Sequence, residues 1–167
     1  MPWFFSERGY DEDLPSGYGS ERYVKRSQEL AKITYGARKI TREDHEGRTE
    51  IVRDNLCFYG APHVAFLFMP EMEGTEREAA DLGMYAQNFL LSLAAHSYHG
   101  IPQAAVSLFA GTTRKALGVE PGYKLLFGIA FGCGNEEDAL FNARPGRVEL
   151  AESIVLHGYP RRPLDVL

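Results

Sequence analysis

The residues best suited to chemistry are thinly spread along this 167-residue chain. Histidines stand at His45, His63, His96, His99 and His157. His96 and His99 lie three apart at the end of one helical run, a spacing that can offer two imidazoles to a metal. Zinc takes three or four protein ligands and no third is marked nearby, so no metal site is assigned. There is no HExxH, no CxxC and no glycine-rich phosphate loop of standard spacing. Ser107 and the Thr112–Thr113 pair have no neighbouring base to activate them. The carboxylates of "TREDHEGR" alternate with basic residues, as on a solvated helix face. No side chain is therefore assigned as nucleophile, general acid or general base.

A chain without such groups can host chemistry that a cofactor supplies, the protein binding and orienting it. Two stretches suit an anionic ligand. "HGIPQAAVS", residues 99–107, is a turn shaped by Gly and Pro whose backbone N–H groups can face a ligand. "NARPGR" carries Arg144 and Arg147 in a Gly-Pro loop, and a guanidinium fork matches phosphate. On the residues alone, a plain interhelical turn and a solvated basic loop are the simpler account of both.

The elements that would carry these stretches read as α+β. Ser20 can cap a helix to about Arg38, with Tyr23, Leu30, Ile33 and Tyr35 as inward candidates. Thr41 and Asp44 form a weak capping box for a second helix to about Cys57, with Ile51, Val52 and Leu56 inside. "HVAFLFM", residues 63–69, reads as a buried strand. Thr75 can cap a long helix to about residue 98. Leu82, Tyr85, Ala86, Phe89, Leu90, Leu93 and Ala94 repeat along it at helical spacing, and Met84, Leu91 and Tyr98 make its other side apolar too. A helix apolar all round is expected to be the most buried element, in a core or a subunit interface. Gly100 is expected to stop it and Pro102 to prevent its continuation. A short helix from about Thr112 to Gly118, a second buried strand at 123–131 and a β-like "SIVLHGY" complete the list. So few strands require cover from elsewhere, such as a neighbouring subunit.

Composition bounds the rest. Length fits one domain, residues 1–167, with an irregular arm at 1–19 and a tail at 160–167. A formal net charge of −5 argues against a sequence-independent nucleic-acid binder. Cys57 and Cys133 sit in apolar runs and are expected to be buried, reduced thiols. Gln87, Asn88 and His96 interrupt the longest apolar run and no leader pattern opens the chain, so the expectation is a cytoplasmic protein without membrane attachment.

Taken in order, "FYGAPHVAFLF", "ADLGMYAQNFLLSLAAHSYHGIPQ", "KALGV" and "LLFGIAFGCGNEEDALFNARPGRVEL" resemble roughly the C-terminal two-thirds of the FMN-dependent nitroreductase family. The resemblance covers about residues 14–157. It implies FMN as cofactor, NAD(P)H as electron donor, and a nitroaromatic, quinone or similar electron-poor molecule as substrate. It also implies a homodimer whose long helices pack across the interface beside the flavin. Pro102 and Gln103 match the family's turn beneath the isoalloxazine, and Ala104 and Ala105 match positions whose N–H groups face flavin N5 and O4. Arg147 matches the phosphate-binding Arg, with Arg144 as a second contact. The family's N-terminal helix with its Arg-x-Ser motif, and the strand that follows, find no counterpart here. Ser97 stands where a Gly is usual. The expectation is either a partial chain or a variant with a weakened flavin grip. The alternative is a non-catalytic subunit or binding module with lost or weakened flavin binding, which would pair with a fuller relative or bind another ligand in the remnant groove.

Overall fold

The computed structural model describes residues 19–155 and 157. The arm and the tail expected at the two ends fall outside them, Gly19 excepted. The order of elements is α1 (Glu21–Ala37), α2 (His45–Leu56), β1 (His63–Pro70), α3 (Glu76–Ala95), β2 (His99–Gln103), α4 (Ala110–Leu117), β3 (Tyr123–Gly132) and α5 (Ala139–Asn142). Short 3-10 turns lie at Phe58–Gly60, Ala104–Phe109 and Leu150–Glu152. The α+β class holds.

The three strands form one antiparallel sheet in the order β1-β3-β2. β3 is central, and Leu125 and Ile129 on it are fully buried. The two faces of the sheet are covered by different parts of the chain. On one, Ala65, Leu67, Phe127 and Ile129 meet Leu82, Ala86, Phe89 and Leu90 of α3. On the other, Phe66, Phe68 and Leu125 meet Phe58, Val106 and Ala110. Leu125, Phe127 and Ile129 share a parity, so an unbroken strand would send all three to α3. The register slips between Leu67↔Phe127 and Phe68↔Leu125. That bulge turns Leu125 to the opposite face and gives the second core its centre.

β2 was expected to be a turn. It is a strand, with Pro102 opposite Ile129 and Gln103 opposite Gly128. Among the described residues β2 is an edge strand with no further neighbour awaiting an N–H, so Pro102 is tolerated. The helix stop also lies earlier than expected. Ser97 takes φ +61, Tyr98 N donates to Leu93 O at 2.9 Å and Ser97 N to Ala94 O at 3.0 Å. This left-handed closure is the position where Gly costs least. Gly100 instead makes room: a Cβ there would lie 2.7 Å from Leu90 Cδ2 and 2.9 Å from Leu93 Cδ1.

Other expectations are corrected. Within this chain α3 is half exposed, and β3 is the more buried element. Tyr85, placed inward by spacing, is 65% exposed, and Ala94 is also exposed, because α3 covers the sheet with one stripe only. Met84 and Leu91 on the other side are 61% and 58% exposed. Tyr23 and Leu30 of α1 face outward, while Ile33 and Tyr35 are half-buried. Asp44, not Thr41, caps α2, its carboxylate accepting from Gly47 N at 2.9 Å. Cys57 and Cys133 are free but exposed, since each sits just past the end of an element. The described part of "SIVLHGY" forms no strand.

Gly100→Ala should cost about 1–3 kcal/mol, the usual penalty for overpacking, as the methyl displaces Leu90 and Leu93. Urea unfolding with an unchanged m-value checks this.

Candidate functional site

The site is built on the segment from His99 to Ala105, which leaves the sheet edge and turns into a 3-10 helix at Ala104. Gln103 is its anchor. It is 2% exposed, the one buried polar residue among those described. Its Nε2 donates to Asn55 O at 2.7 Å and to Asn55 Oδ1 at 3.3 Å. Asn55 lies in the last turn of α2, whose final carbonyls have no partner inside the helix, so Gln103 satisfies a helix end. Asn55 Nδ2 donates in turn to the Tyr59 hydroxyl at 2.9 Å. Gln103 Oε1 is buried and has no partner among the described residues.

Tyr59 belongs to a left-handed turn in which Phe58, Tyr59 and Gly60 have φ of 58, 52 and 71. Bulky residues adopt this region at a cost, which the surrounding contacts must offset. Phe58 is held edge-on against Phe66, with ring centroids 5.9 Å apart. Burial, opposed by the Asn55 hydrogen bond, raises the Tyr59 phenol above its ordinary range.

Ala104 and Ala105 open the 3-10 turn, where the first N–H groups have no partner within the turn. Ala104 is exposed and Ala105 half-buried. Ser107 Oγ donates to Ala104 O at 2.7 Å, and Thr113 Oγ1 to Phe109 O at 2.8 Å, so these hydroxyls serve the backbone.

Arg144 and Arg147 lie beyond α5 in a stretch without helix or strand, both exposed. Arg144 Nη1 donates to Phe141 O and, at 3.4 Å, to Ala143 O; its guanidinium carbon is 5.4 Å from the Phe141 ring centroid. Arg147 Nη1 donates to Pro145 O at 3.1 Å and Gly146 O at 3.3 Å. Among the described residues, none of the hydrogen-bond partners of either arginine lies in the 99–105 segment. The link between loop and segment is His99. Its Nδ1 accepts from Gly134 N at 3.2 Å and its ring stands edge-on to Phe141, centroids 4.8 Å apart. His96 is used separately, its Nδ1 lying 2.8 Å from Ser92 O.

Sequence reasoning missed Asn55, Tyr59 and His99. The signal for Tyr59 was "FYG", an aromatic pair running into Gly60. His99 was noted beside His96 and at the head of residues 99–107, but nothing local marked its contacts, because its partners lie 35 and 42 positions away in the chain.

An anionic, planar cofactor fits this donor set. Ala104 and Ala105 offer N–H groups at the start of a turn. Each arginine engages only Nη1 among the described residues, leaving the rest of its fork for a phosphate. A separate hollow at the start of α1, lined by Gly19, Ser20, Glu21, Val24, Lys25 and Gln28, shares no residue with this site.

The chain is similar to known proteins. The model of the nitroreductase family matches residues 21–133. Nitroreductase NfnB of Mycolicibacterium smegmatis is 40% identical over 145 residues, which are 86% of this chain and 59% of that protein. The solved FMN-dependent nitroreductase NfnB from Mycobacterium smegmatis, in complex with NADPH, superposes with TM-score 0.81 at 36% identity, over 89% of this chain and 67% of that one. The FMN- and NADPH-dependent NfnB from sphigopyxis sp. strain HMH gives TM-score 0.81 at 28% identity, over 89% of this chain and 66% of that one. This chain belongs to the nitroreductase family. It spans about three-fifths of the length of the curated relative.

The raised Tyr59 pKa gives a pH expectation. A phenol whose folded pKa exceeds its unfolded one contributes stability below the unfolded pKa, and that contribution is lost as pH rises through the folded value. Stability should therefore fall above about pH 10, the phenol's ordinary pKa. Tyr59→Phe should flatten that alkaline limb, as read from urea midpoints across pH.

Proposed function

We propose that this chain forms the flavin-holding part of an FMN-dependent NAD(P)H oxidoreductase acting on nitroaromatics, quinones or similar electron-poor molecules. The relatives' own names support the cofactors. The observation that carries the reading for this chain is the 99–105 segment. It is zipped to β3, tied to α2 through Gln103, and opens two N–H groups at Ala104 and Ala105. When bound, FMN supplies hydride transfer, accepting from the nicotinamide and delivering to the substrate.

The protein's own residues do the rest. Pro102 and Gln103 would form the wall under the flavin ring. Ala104 and Ala105 would offer their N–H groups to the ring edge and so tune where it carries electron density. Arg147, with Arg144, would neutralise the phosphate. No side chain of this chain is assigned a proton transfer.

The outer face of α3 supports a homodimer. Met84, Tyr85 and Leu91 present apolar surface along it, continued by Tyr98 and Ile101. Exposed large apolar residues clustered on one element ordinarily mark an interface. Free, exposed thiols at Cys57 and Cys133 suit a reducing compartment, hence the cytoplasm. Among the described residues no helix is long and apolar enough to cross a membrane.

Two experiments test the reading. Arg147→Ala should weaken FMN about ten- to a hundredfold, the loss of a charge-assisted contact worth about 1.5–3 kcal/mol. Riboflavin, which lacks the phosphate, should bind as before; fluorescence quenching measures both. Equal FMN affinity in the two proteins would remove the phosphate assignment. Leu91→Glu should place a charge in the interface and give monomer or aggregate in sedimentation. An unaltered homodimer would show that α3 is not the seam, and association only with a fuller relative would replace homodimer by heterodimer.

A further inference from the structure

Arg144 and Arg147 sit on a stretch without regular structure, and among the described residues their guanidiniums donate to its backbone and to Phe141 O at the end of α5. A phosphate contact needs that loop held at a fixed place relative to the 99–105 segment. We infer that His99 is the positioning residue that holds it, acting through Gly134 and Phe141. This inference rests on the proposed phosphate role of the arginines.

Three observations converge on it. His99 Nδ1 accepts the Gly134 N–H at 3.2 Å, tying the start of the loop to strand β2. The acceptor role puts the ring proton on Nε2. The His99 ring also packs edge-on to Phe141 of α5, with centroids 4.8 Å apart. Phe141 then carries Arg144, which lies over its ring at 5.4 Å and donates to its carbonyl oxygen. The chain of contact thus runs from the strand through one imidazole to both ends of the turn that leads into the arginines.

Gly134 is the third observation. A Cβ at this position would lie 2.9 Å from His99 Nδ1 and collide with the Phe141 ring. The backbone therefore approaches both rings more closely than any other residue would allow. His99 itself is exposed and adds little to the core, so its contacts matter for the placement of the loop more than for folding.

The contribution can be separated by two substitutions. His99→Phe keeps an aromatic ring against Phe141 and removes the acceptor. His99→Asn removes the ring and keeps an amide oxygen near the place of Nδ1. Two quantities are read on the full chain: amide hydrogen exchange at Gly134 without flavin, and the ratio of FMN to riboflavin affinity. In His99→Phe, Gly134 should exchange faster, and the FMN-to-riboflavin preference should fall about two- to tenfold, the equivalent of one neutral hydrogen bond. His99→Asn should restore both toward wild type. A merely structural histidine would change FMN and riboflavin affinity together and would not be rescued by Asn.

Unchanged Gly134 exchange in His99→Phe overturns the inference. So does faster exchange with an unchanged preference, if Arg147→Ala lowers that preference in the same assay. If Arg147→Ala leaves the preference untouched, the phosphate reading fails by itself. The Gly134 exchange and its rescue by Asn then decide alone whether His99 holds the loop.

Discussion

The pairing of β2 with β3 is the constraint on which the site depends. Five residues, His99 to Gln103, run antiparallel to Gly132–Gly128, and each pairing fixes one part of the candidate site. Gln103 opposite Gly128 ends the ladder and sends the chain into the 3-10 turn at Ala104. Gly128 has no side chain, and a Cβ there would come 3.1 Å from Val106 Cγ2. The turn can therefore lie close over the sheet, with Val106 in the second core beside Leu125. A one-residue slip would exchange the two faces of β2 and leave Gln103 without Asn55.

That ladder in turn relies on close packing from both sides. α3 can approach β2 because position 100 is a glycine, and it leaves the sheet through a left-handed Ser97 rather than the more tolerant Gly. On the other side the bulge in β3 supplies Leu125 to the second core. Fully burying a leucine is worth about 1.5–3 kcal/mol, comparable to the strain that two left-handed aromatics at Phe58 and Tyr59 can introduce. Surface ion pairs such as Arg22–Glu152 at 2.8 Å, with both partners more than half exposed, contribute little by comparison.

Much of this was legible in the residues, and the misses have definite causes. Strands β1 and β3 and the helices α1, α3 and α4 follow from apolar periodicity and their Gly or Pro limits, and α4 does end at a left-handed Gly118. β2 did not, because Gly and Pro in one short run usually mark a turn and its strand character comes only from pairing with β3, far along the chain. The apolar outer side of α3 was read correctly as apolar, but periodicity cannot say whether such a face meets the same chain or another. Tyr85 was misplaced for that reason. In the candidate site, Pro102 and Gln103 were singled out through the resemblance, and the structure sets both on β2 against β3. The Gln103–Asn55 and His99–Gly134 links were not, since each joins residues more than thirty positions apart with no local pattern.

The most direct test of the account is an amide NMR titration of this chain with FMN. The account places the flavin edge at the opening N–H groups of the 3-10 turn. Ala104 and Ala105 should therefore show the largest downfield movements, and residues 20–28 at the start of α1 should stay in place. Amides of Ala104 and Ala105 that do not move at saturating FMN, or a response confined to residues 20–28, would contradict it.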